Sequence, residues 1–238
     1  MKPIFRNLTA LTAVAALAAC SNLGGNAGNN QTRAKFLNEV WVGPELKGKA
    51  ASEVFANVYF APTTCSHLKD QGWWNSQGTK TKEQLETDAH NLARHFHHAL
   101  VAESTIYPGK RIHVVSSPGA HTLIVETAIT ELVPAKAFWN AAATAAGFAV
   151  PGAGMLSMAG KGVIGIEGRL RDGNTGAVIG EFRHRMTDQS AVVDVASYKW
   201  YGGSEANLTQ VAKKTAEVLN APSDKVVNAS LPIKLVAF

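Results

Sequence analysis

Half of the eight histidines of this chain lie in one short stretch, at positions 90, 95, 97 and 98. His95 and His98 are three residues apart, a spacing that places two imidazoles on one face of a helix, where they can bind Zn²⁺. No H-E-x-x-H motif accompanies them. The stretch therefore supports two interpretations, a metal-dependent hydrolase of the cell envelope or a solvated polar helix face. The apolar residues Leu92 and Phe96 are predicted to occupy the buried side of the helix, which favours the second interpretation.

The thiol of Cys65 is a second candidate for chemistry, since it lies two residues before His67. A cysteine becomes a strong nucleophile when a neighbouring basic group accepts its proton. The pair therefore keeps a thiol hydrolase open, against the alternative of a quiet, partly buried cysteine. Gly160–Gly165 matches the G-x-G-x-x-G pattern, but the sequence after it is strand-like where the dinucleotide fold needs a helix. No cofactor is expected.

Basic side chains are concentrated on two predicted strands of one hairpin, at Arg169, Arg171, Arg183 and Arg185. Alternate residues of a strand point to the same face, so these arginines could form a basic stripe for anionic lipid or an acidic partner protein. Alternating charge that protects an exposed strand from pairing with other chains is the favoured interpretation. Trp73 and Trp74, and the run 198–201, are either aromatic binding platforms or packed loop residues.

The first twenty residues predict where the protein resides. Lys2 and Arg6 precede an uncharged stretch that closes with Leu17-Ala-Ala-Cys20, as in a secretory signal peptide. This ending resembles the bacterial lipobox, in which cleavage falls before the cysteine and the cysteine is acylated. Residues 1–19 are thus predicted to be removed and Cys20 to be lipidated. By the same resemblance, Ser21 in place of Asp favours a lipid-anchored protein on the periplasmic side of the outer membrane, where nucleic acid is not an expected partner.

An uncharged segment, 137–160, could serve a different purpose. It is rich in Ala and Gly and is interrupted by Pro151, which makes it a poor membrane span. A buried connection is favoured over an apolar flap that carries lipid or a small molecule.

The remaining sequence predicts one domain of ordinary composition. With 46% hydrophobic and 17% charged residues, the chain is too apolar for a disordered protein, and two cysteines exclude a disulfide scaffold. Periodicity predicts an α+β fold in the order β-α-β-β-(insert)-β-β-α, a mostly antiparallel sheet with two helices on one face. The predicted strands are 54–60, 111–115, 123–133, 163–171 and 177–186, and the helices begin near Thr81 and Ser204. The predicted limits are 20–34 for the lipidated cysteine and tether, 35–220 for the domain and 221–238 for a tail.

The hairpin carries a resemblance to a known family. Its run from Glu167 to Gly176 is similar to the E-x-x-x-x-D-x-x-T-G signature of a bacterial lipoprotein family catalogued only as domain of unknown function 3313. The stretch 128–134 and the region around Trp200 also resemble that family. The similarity as a whole covers roughly residues 92–219. The resemblance implies a periplasm-facing lipoprotein without known catalytic residues. We therefore expect no enzyme, but a binding or assembly module for an envelope protein complex.

Overall fold

The computed structural model describes residues 33–70, 78–133, 162–187 and 201–228. Within them the chain forms six strands, three helices and one 3-10 turn. In chain order these are β1 (Glu39–Val42), α1 (Ala51–Val54), β2 (Asn57–Phe60), the 3-10 turn (Ser66–Asp70), α2 (Thr79–Ile106), β3 (His113–Val114), β4 (Thr122–Val133), β5 (Val163–Asp172), β6 (Val178–Thr187) and α3 (Gly202–Asn220). Strand β1 and helix α1 were not predicted, and both are only four residues long.

The strands form one mixed sheet in the order β1-β6-β5-β4-β2-β3. The α+β class is confirmed. The prediction of a mostly antiparallel sheet is not, because β2 pairs in parallel with both β3 and β4. The 28-residue helix α2 separates β2 from both partners along the chain. Such a helical crossover returns the chain to the end of the sheet from which it started, which makes the strands parallel.

Both long helices share a single core with one face of the sheet. The predicted apolar stripe of α2 is confirmed, with Leu85, Leu92 and Phe96 almost fully buried. Helix α3 adds Leu208 and Ala212, and the sheet adds inward-facing residues of β2, β4, β5 and β6. Burial of these apolar surfaces is the main favourable contribution to folding.

The core extends beyond the predicted limits 35–220. Ala34 and Val227 are buried on either side of those limits and pair through an isolated parallel bridge. The segments that precede β1 and follow α3 thus meet at one point.

Several predicted features lie outside the described residues. These are the signal peptide 1–19, Cys20, Trp73, Trp74, the segment 137–160 and the stretch 188–200 with Trp200. Among the helices that are described, none has the length and apolar character needed to cross a bilayer.

Candidate functional site: the charged face of the sheet

The sheet turns one face to the core and the other away from it, and the second face is covered by charges. Strand alternation places Arg169, Arg171, Arg183 and Arg185 together on it, as the hairpin pattern predicted. The antiparallel register sets acidic residues beside them, because Arg169 lies opposite Glu181, and Arg183 lies between Glu167 and Glu39. We call this set the charged face; its members are the four arginines with Glu39, Glu126, Glu131, Glu167 and Glu181.

Each arginine of the charged face is held by a carboxylate. Arg169 Nε is 3.2 Å from Glu181, Arg171 Nε is 2.9 Å from Glu126, and Arg183 Nε is 3.0 Å from Glu167. A weaker contact of 4.0 Å joins Arg183 to Glu39. The arginine side chains are 17–44% exposed, so these pairs lie at a partly solvated surface.

Arg185 and Glu131 pair across an intervening strand. Two hydrogen bonds of 2.7 and 2.9 Å from the guanidinium to the carboxylate make the pair bidentate. Gly165 lies between them in the register, and a Cβ there would come within 2.8 Å of the Glu131 Cβ. The glycine therefore leaves the space through which the two side chains meet. Hydrogen bonding to Glu131 raises the pKa of Arg185 above its ordinary value, despite partial burial.

The charges on this face are balanced. Four arginines face five glutamates, so the surface has the alternating charge of the second sequence interpretation and lacks the excess positive charge of a basic stripe. Half-exposed ion pairs of this kind contribute only about 0–1 kcal/mol each to stability. Their effect is to hold long side chains in defined positions. The binding role of the four arginines stays a prediction.

Trp41 borders the charged face and was not singled out from the sequence. Trp41 lies on β1, at the edge of the sheet, opposite Glu181 of β6, and it is 43% exposed. The signal was present in the run Glu-Val-Trp-Val, whose valines are partly buried against the core while Glu39 and Trp41 point away. A run of four residues is too short for its alternation to stand out.

The four clustered histidines of α2 serve different contacts. His95 Nε2 lies 3.0 Å from Thr209 Oγ1 and 3.2 Å from the Glu205 carbonyl oxygen, which joins α2 to α3. His97 Nδ1 lies 3.2 Å from the Ala61 carbonyl oxygen, and His98 is exposed. Within the described ranges no group of three or more His, Cys, Asp or Glu residues is arranged to hold a metal ion.

Cys65 meets a histidine, but not the one nearest in sequence. Its sulfur lies 3.4 Å from Nδ1 of His90 on α2, while the thiol itself is buried. His90 and His97 are seven residues apart, which places them on the same face of α2. Together they attach the segment 61–65 to the helix.

Tyr201 is the described member of the aromatic run 198–201. It is buried at the start of α3 beside Asp88 of α2. Burial, followed by the negative charges of Asp88 and Glu205, raises the pKa of its phenol. This tyrosine thus packs between the two helices.

His184 of β6 lies among apolar and amide groups near the edge of the sheet. Its ring meets Phe36 edge to face at a centroid distance of 6.4 Å, and its Nδ1 lies 2.9 Å from Asn38 Oδ1. The same Asn38 oxygen accepts the backbone N–H of Arg185 at 2.6 Å. Burial lowers the pKa of His184 below its ordinary value of 6.5.

The depressed pKa predicts a specific loss of stability in acid. The unfolded chain protonates His184 near pH 6.5 and the folded chain only at lower pH, so the free energy of unfolding should fall as the pH drops from 6.5 to the folded pKa. His184→Gln removes the ionisable group and should flatten this part of the profile. Urea unfolding of both proteins between pH 5 and about 8 measures the difference. Profiles of equal slope below pH 6.5 would contradict the assignment.

The turn of the β5–β6 hairpin explains the D-x-x-T-G part of the sequence signature. Asp172 Oδ1 accepts the backbone N–H of Asn174 at 2.6 Å, and Thr175 Oγ1 accepts that of Ala177 at 3.2 Å. Gly176 has a φ of +71°, which a residue without a Cβ adopts at little cost. Glu167, the first residue of the signature, pairs with Arg183 on the charged face. The signature thus combines a turn with one ion pair of that face.

A sequence model described as "Protein of unknown function (DUF3313)" matches residues 40–197. The chain belongs to the DUF3313 family. The family expected from the hairpin is therefore confirmed, and the match begins well before residue 92, so that it includes Trp41 and all of β1 except Glu39. Apart from Glu39, the charged face lies within the DUF3313 region, as does the turn of the β5–β6 hairpin.

The chain is also distantly similar to solved structures. No curated protein matches the sequence. A PelC dodecamer from Paraburkholderia phytofirmans is 14% identical, with a TM-score of 0.40 over 77% of this chain and 96% of that one. Protein XCC0632 from Xanthomonas campestris, of family DUF330, is 12% identical, with a TM-score of 0.40 over 76% and 92% of the two chains.

Proposed function

We propose that this DUF3313 protein is a lipid-anchored protein of the bacterial outer membrane whose periplasmic α+β domain binds another envelope protein or further copies of itself. The N-terminal sequence supports the anchor, because Leu17-Ala-Ala-Cys20 follows a short apolar segment. Acyl chains on Cys20 would hold the protein at the membrane, since each buried methylene adds about 0.8 kcal/mol.

The observation that carries the binding role is the charged face with Trp41 at its border. Tryptophan and arginine are the residues most enriched at the energetic centres of protein interfaces. Trp41 presents an exposed aromatic ring beside ordered arginines. The ion pairs already hold the arginine side chains. Binding of a partner therefore loses less side-chain entropy than binding to unpaired arginines would lose.

The partner that fits this face is a protein surface of mixed charge. The glutamates and arginines of the face are distributed over four strands. Like-charge contacts would reject a protein surface of the wrong pattern, while a complementary surface would fix its register. Anionic lipid fits less well, because the glutamates of the face outnumber its arginines.

The alternative of a thiol or metal-dependent hydrolase has less support. Cys65 and His90 pair a thiol with a base, but the sulfur is buried and the contact attaches the segment 61–65 to α2. His95 is engaged with α3 through Thr209 and Glu205. These contacts give Cys65 and His95 structural roles in the fold.

Chemical analysis of the N-terminus tests the anchor. We expect the mature wild-type protein to begin at an acylated Cys20 and to fractionate with the outer membrane, and we expect Cys20→Ala to be absent from that fraction. Cys65→Ala is the matched control and should retain both the acyl mass and the location. A mature wild-type protein without lipid at Cys20 would overturn the anchor.

Photocrosslinking in intact cells tests the binding face. A photoreactive amino acid at Glu39, which is 65% exposed beside Trp41, should give a discrete protein adduct, and the same probe at the exposed Arg94 of α2 should not. Trp41→Ala in the Glu39-labelled protein should weaken the adduct at least tenfold, as expected for an interface hot spot. The mass of the adduct distinguishes a second copy from another protein. Equal labelling at both positions, or no effect of Trp41→Ala, would reject this face.

A further inference from the structure

The N-terminal segment enters the domain at one defined end. Arg33 accepts the backbone N–H of Val227 at 2.7 Å through its carbonyl oxygen. Its guanidinium donates to the carbonyl oxygens of Ala221, Pro222 and Lys225 at 2.6, 2.5 and 3.2 Å. Ala221 is the C-cap of α3. The chain that leads to Cys20 therefore leaves the domain at the C-terminal end of this helix.

Helix α2 ends at the same place, because the two long helices run in parallel. His95 in the middle of α2 meets Thr209 in the first half of α3. Further along, Asn220 Oδ1 at the end of α3 accepts the backbone N–H groups of Arg111 and Ile112, which follow α2. Lys225 interacts with both helix ends. Hydrogen bonding to Glu217 of α3 is the main cause that raises the pKa of Lys225, and Tyr107, the C-cap of α2, raises it further. We call this the tether end of the domain.

The tether end combines exposed apolar side chains with cations. Large apolar side chains are exposed at three positions in the described residues, and two of them lie here: Ile106, 71% exposed, and Val226, 40% exposed. The exposed basic residues Lys49, Lys110, Arg111 and Lys225 belong to the same end. Acidic residues are also present: Glu217 is paired with both Lys214 and Lys225 at 3.1 and 3.0 Å, and the negative charges of Glu53 and Asp224 act on Arg33.

We propose that the tether end rests on the surface of a phospholipid bilayer, with Ile106 and Val226 in the headgroup region and the cations of the same end on lipid phosphates. Apolar side chains ringed by Lys and Arg are the composition that binds membrane interfaces. The inference rests on the proposed anchor at Cys20.

The length of the chain outside the domain supports this orientation. Twelve residues separate Cys20 from Arg33. The Gly- and Asn-rich composition of this stretch predicts an end-to-end distance of roughly 20 Å. Helix α2 has 28 residues and is therefore about 42 Å long. The tether end thus lies within the usual reach of the anchor, whereas the opposite end of α2 is about twice as far away. In this orientation the tether end contacts the membrane and the charged face does not, so that the charged face stays open to a partner protein.

Fluorescence quenching by lipid tests the orientation. The acylated full-length protein is placed in vesicles of phosphatidylethanolamine and phosphatidylglycerol with brominated acyl chains, in a Cys65→Ala background. A fluorophore at Thr105→Cys, next to Ile106, should be quenched at least threefold more than one at Glu83→Cys. Both positions are exposed on α2, about 33 Å apart. Ile106→Asp should reduce the quenching at position 105, and replacing phosphatidylglycerol by neutral phosphatidylcholine should do the same.

The control for the anchor is flotation of the same vesicles. Protein that floats with the vesicles but shows equal quenching at 105 and 83 would overturn the orientation and leave the anchor intact. Wild-type protein that carries no acyl group and does not float would overturn the anchor itself. Circular dichroism of each labelled protein shows whether the variants keep the fold.

Discussion

Replacing Phe96 by alanine is expected to lower the free energy of unfolding by about 3–5 kcal/mol, as for other buried aromatic residues. Phe96 is fully buried in the middle of α2, the helix that contacts both α3 and the sheet. The substitution removes apolar surface from the core and leaves a cavity, since neighbours in a close-packed interior relax only in part. A loss of this size is a large part of the stability of a typical domain. Urea unfolding at fixed pH measures it.

The control for Phe96→Ala lies two residues away on the same helix. Arg94 is exposed, and Arg94→Ala should change the free energy of unfolding by no more than about 0.5 kcal/mol. A loss of the same size in both variants would contradict the role of core packing, because alanine raises helix propensity at either position. If neither did, α2 would not pack on the sheet as described.

Replacing Asn220 by alanine should lower the free energy of unfolding by roughly 2–5 kcal/mol, because one buried and one partly buried backbone donor would lose their acceptor. Asn220 is 4% exposed at the last position of α3. Its Oδ1 accepts from Arg111 at 2.6 Å and from Ile112 at 3.2 Å, and its Nδ2 donates to the Ala216 carbonyl oxygen at 2.8 Å. The side chain thus joins the end of α3 to the chain entering β3. Urea unfolding measures the loss.

Asn220→Leu separates hydrogen bonding from packing, because leucine has a similar volume and no acceptor. We expect it to lose about as much stability as Asn220→Ala, and we expect faster hydrogen exchange at the amides of Arg111 and Ile112 in both variants. The exposed Asn228 is a control whose replacement by alanine should have little effect. Recovery of stability in Asn220→Leu would contradict the role of the two hydrogen bonds.

The sequence predicted those features that a short segment encodes by itself. The apolar stripe of α2 recurs at helical spacing and is buried, and the strands β4, β5 and β6 were expected to within one residue at each end. The turn between β5 and β6 was expected from its Asp, Asn and Gly residues, which stabilise turns through local hydrogen bonds. Family membership followed from the same hairpin.

The charged face was predictable only in part. Alternation indicated that the four arginines share a face, but the pairing register decides which residue lies opposite each one. Glu126 and Glu131 come from β4, and Glu39 and Trp41 from β1, strands that lie far away in sequence. Strand pairing brings them together through backbone hydrogen bonds that carry little sequence signature. The basic stripe of the isolated hairpin thus becomes a balanced network in the sheet.

The same distinction applies to the parallel strands and the reactive groups. Nothing local to β2 shows that it pairs with β4, because that pairing depends on the path of α2 over the sheet. Cys65 is close in sequence to His67, yet it contacts His90, twenty-five residues away, since the segment after β2 lies along α2.

The sequence by itself determined the longer elements, the apolar faces and the hairpin turn, and it predicts the anchor at Cys20, because each depends on residues within about one element of one another. Only the tertiary structure decided which charges pair, where Trp41 is exposed, and that the N-terminal segment enters beside the C-terminal ends of both long helices. Those facts depend on contacts between residues far apart in the chain, and such contacts form when burial of the apolar faces brings the elements together.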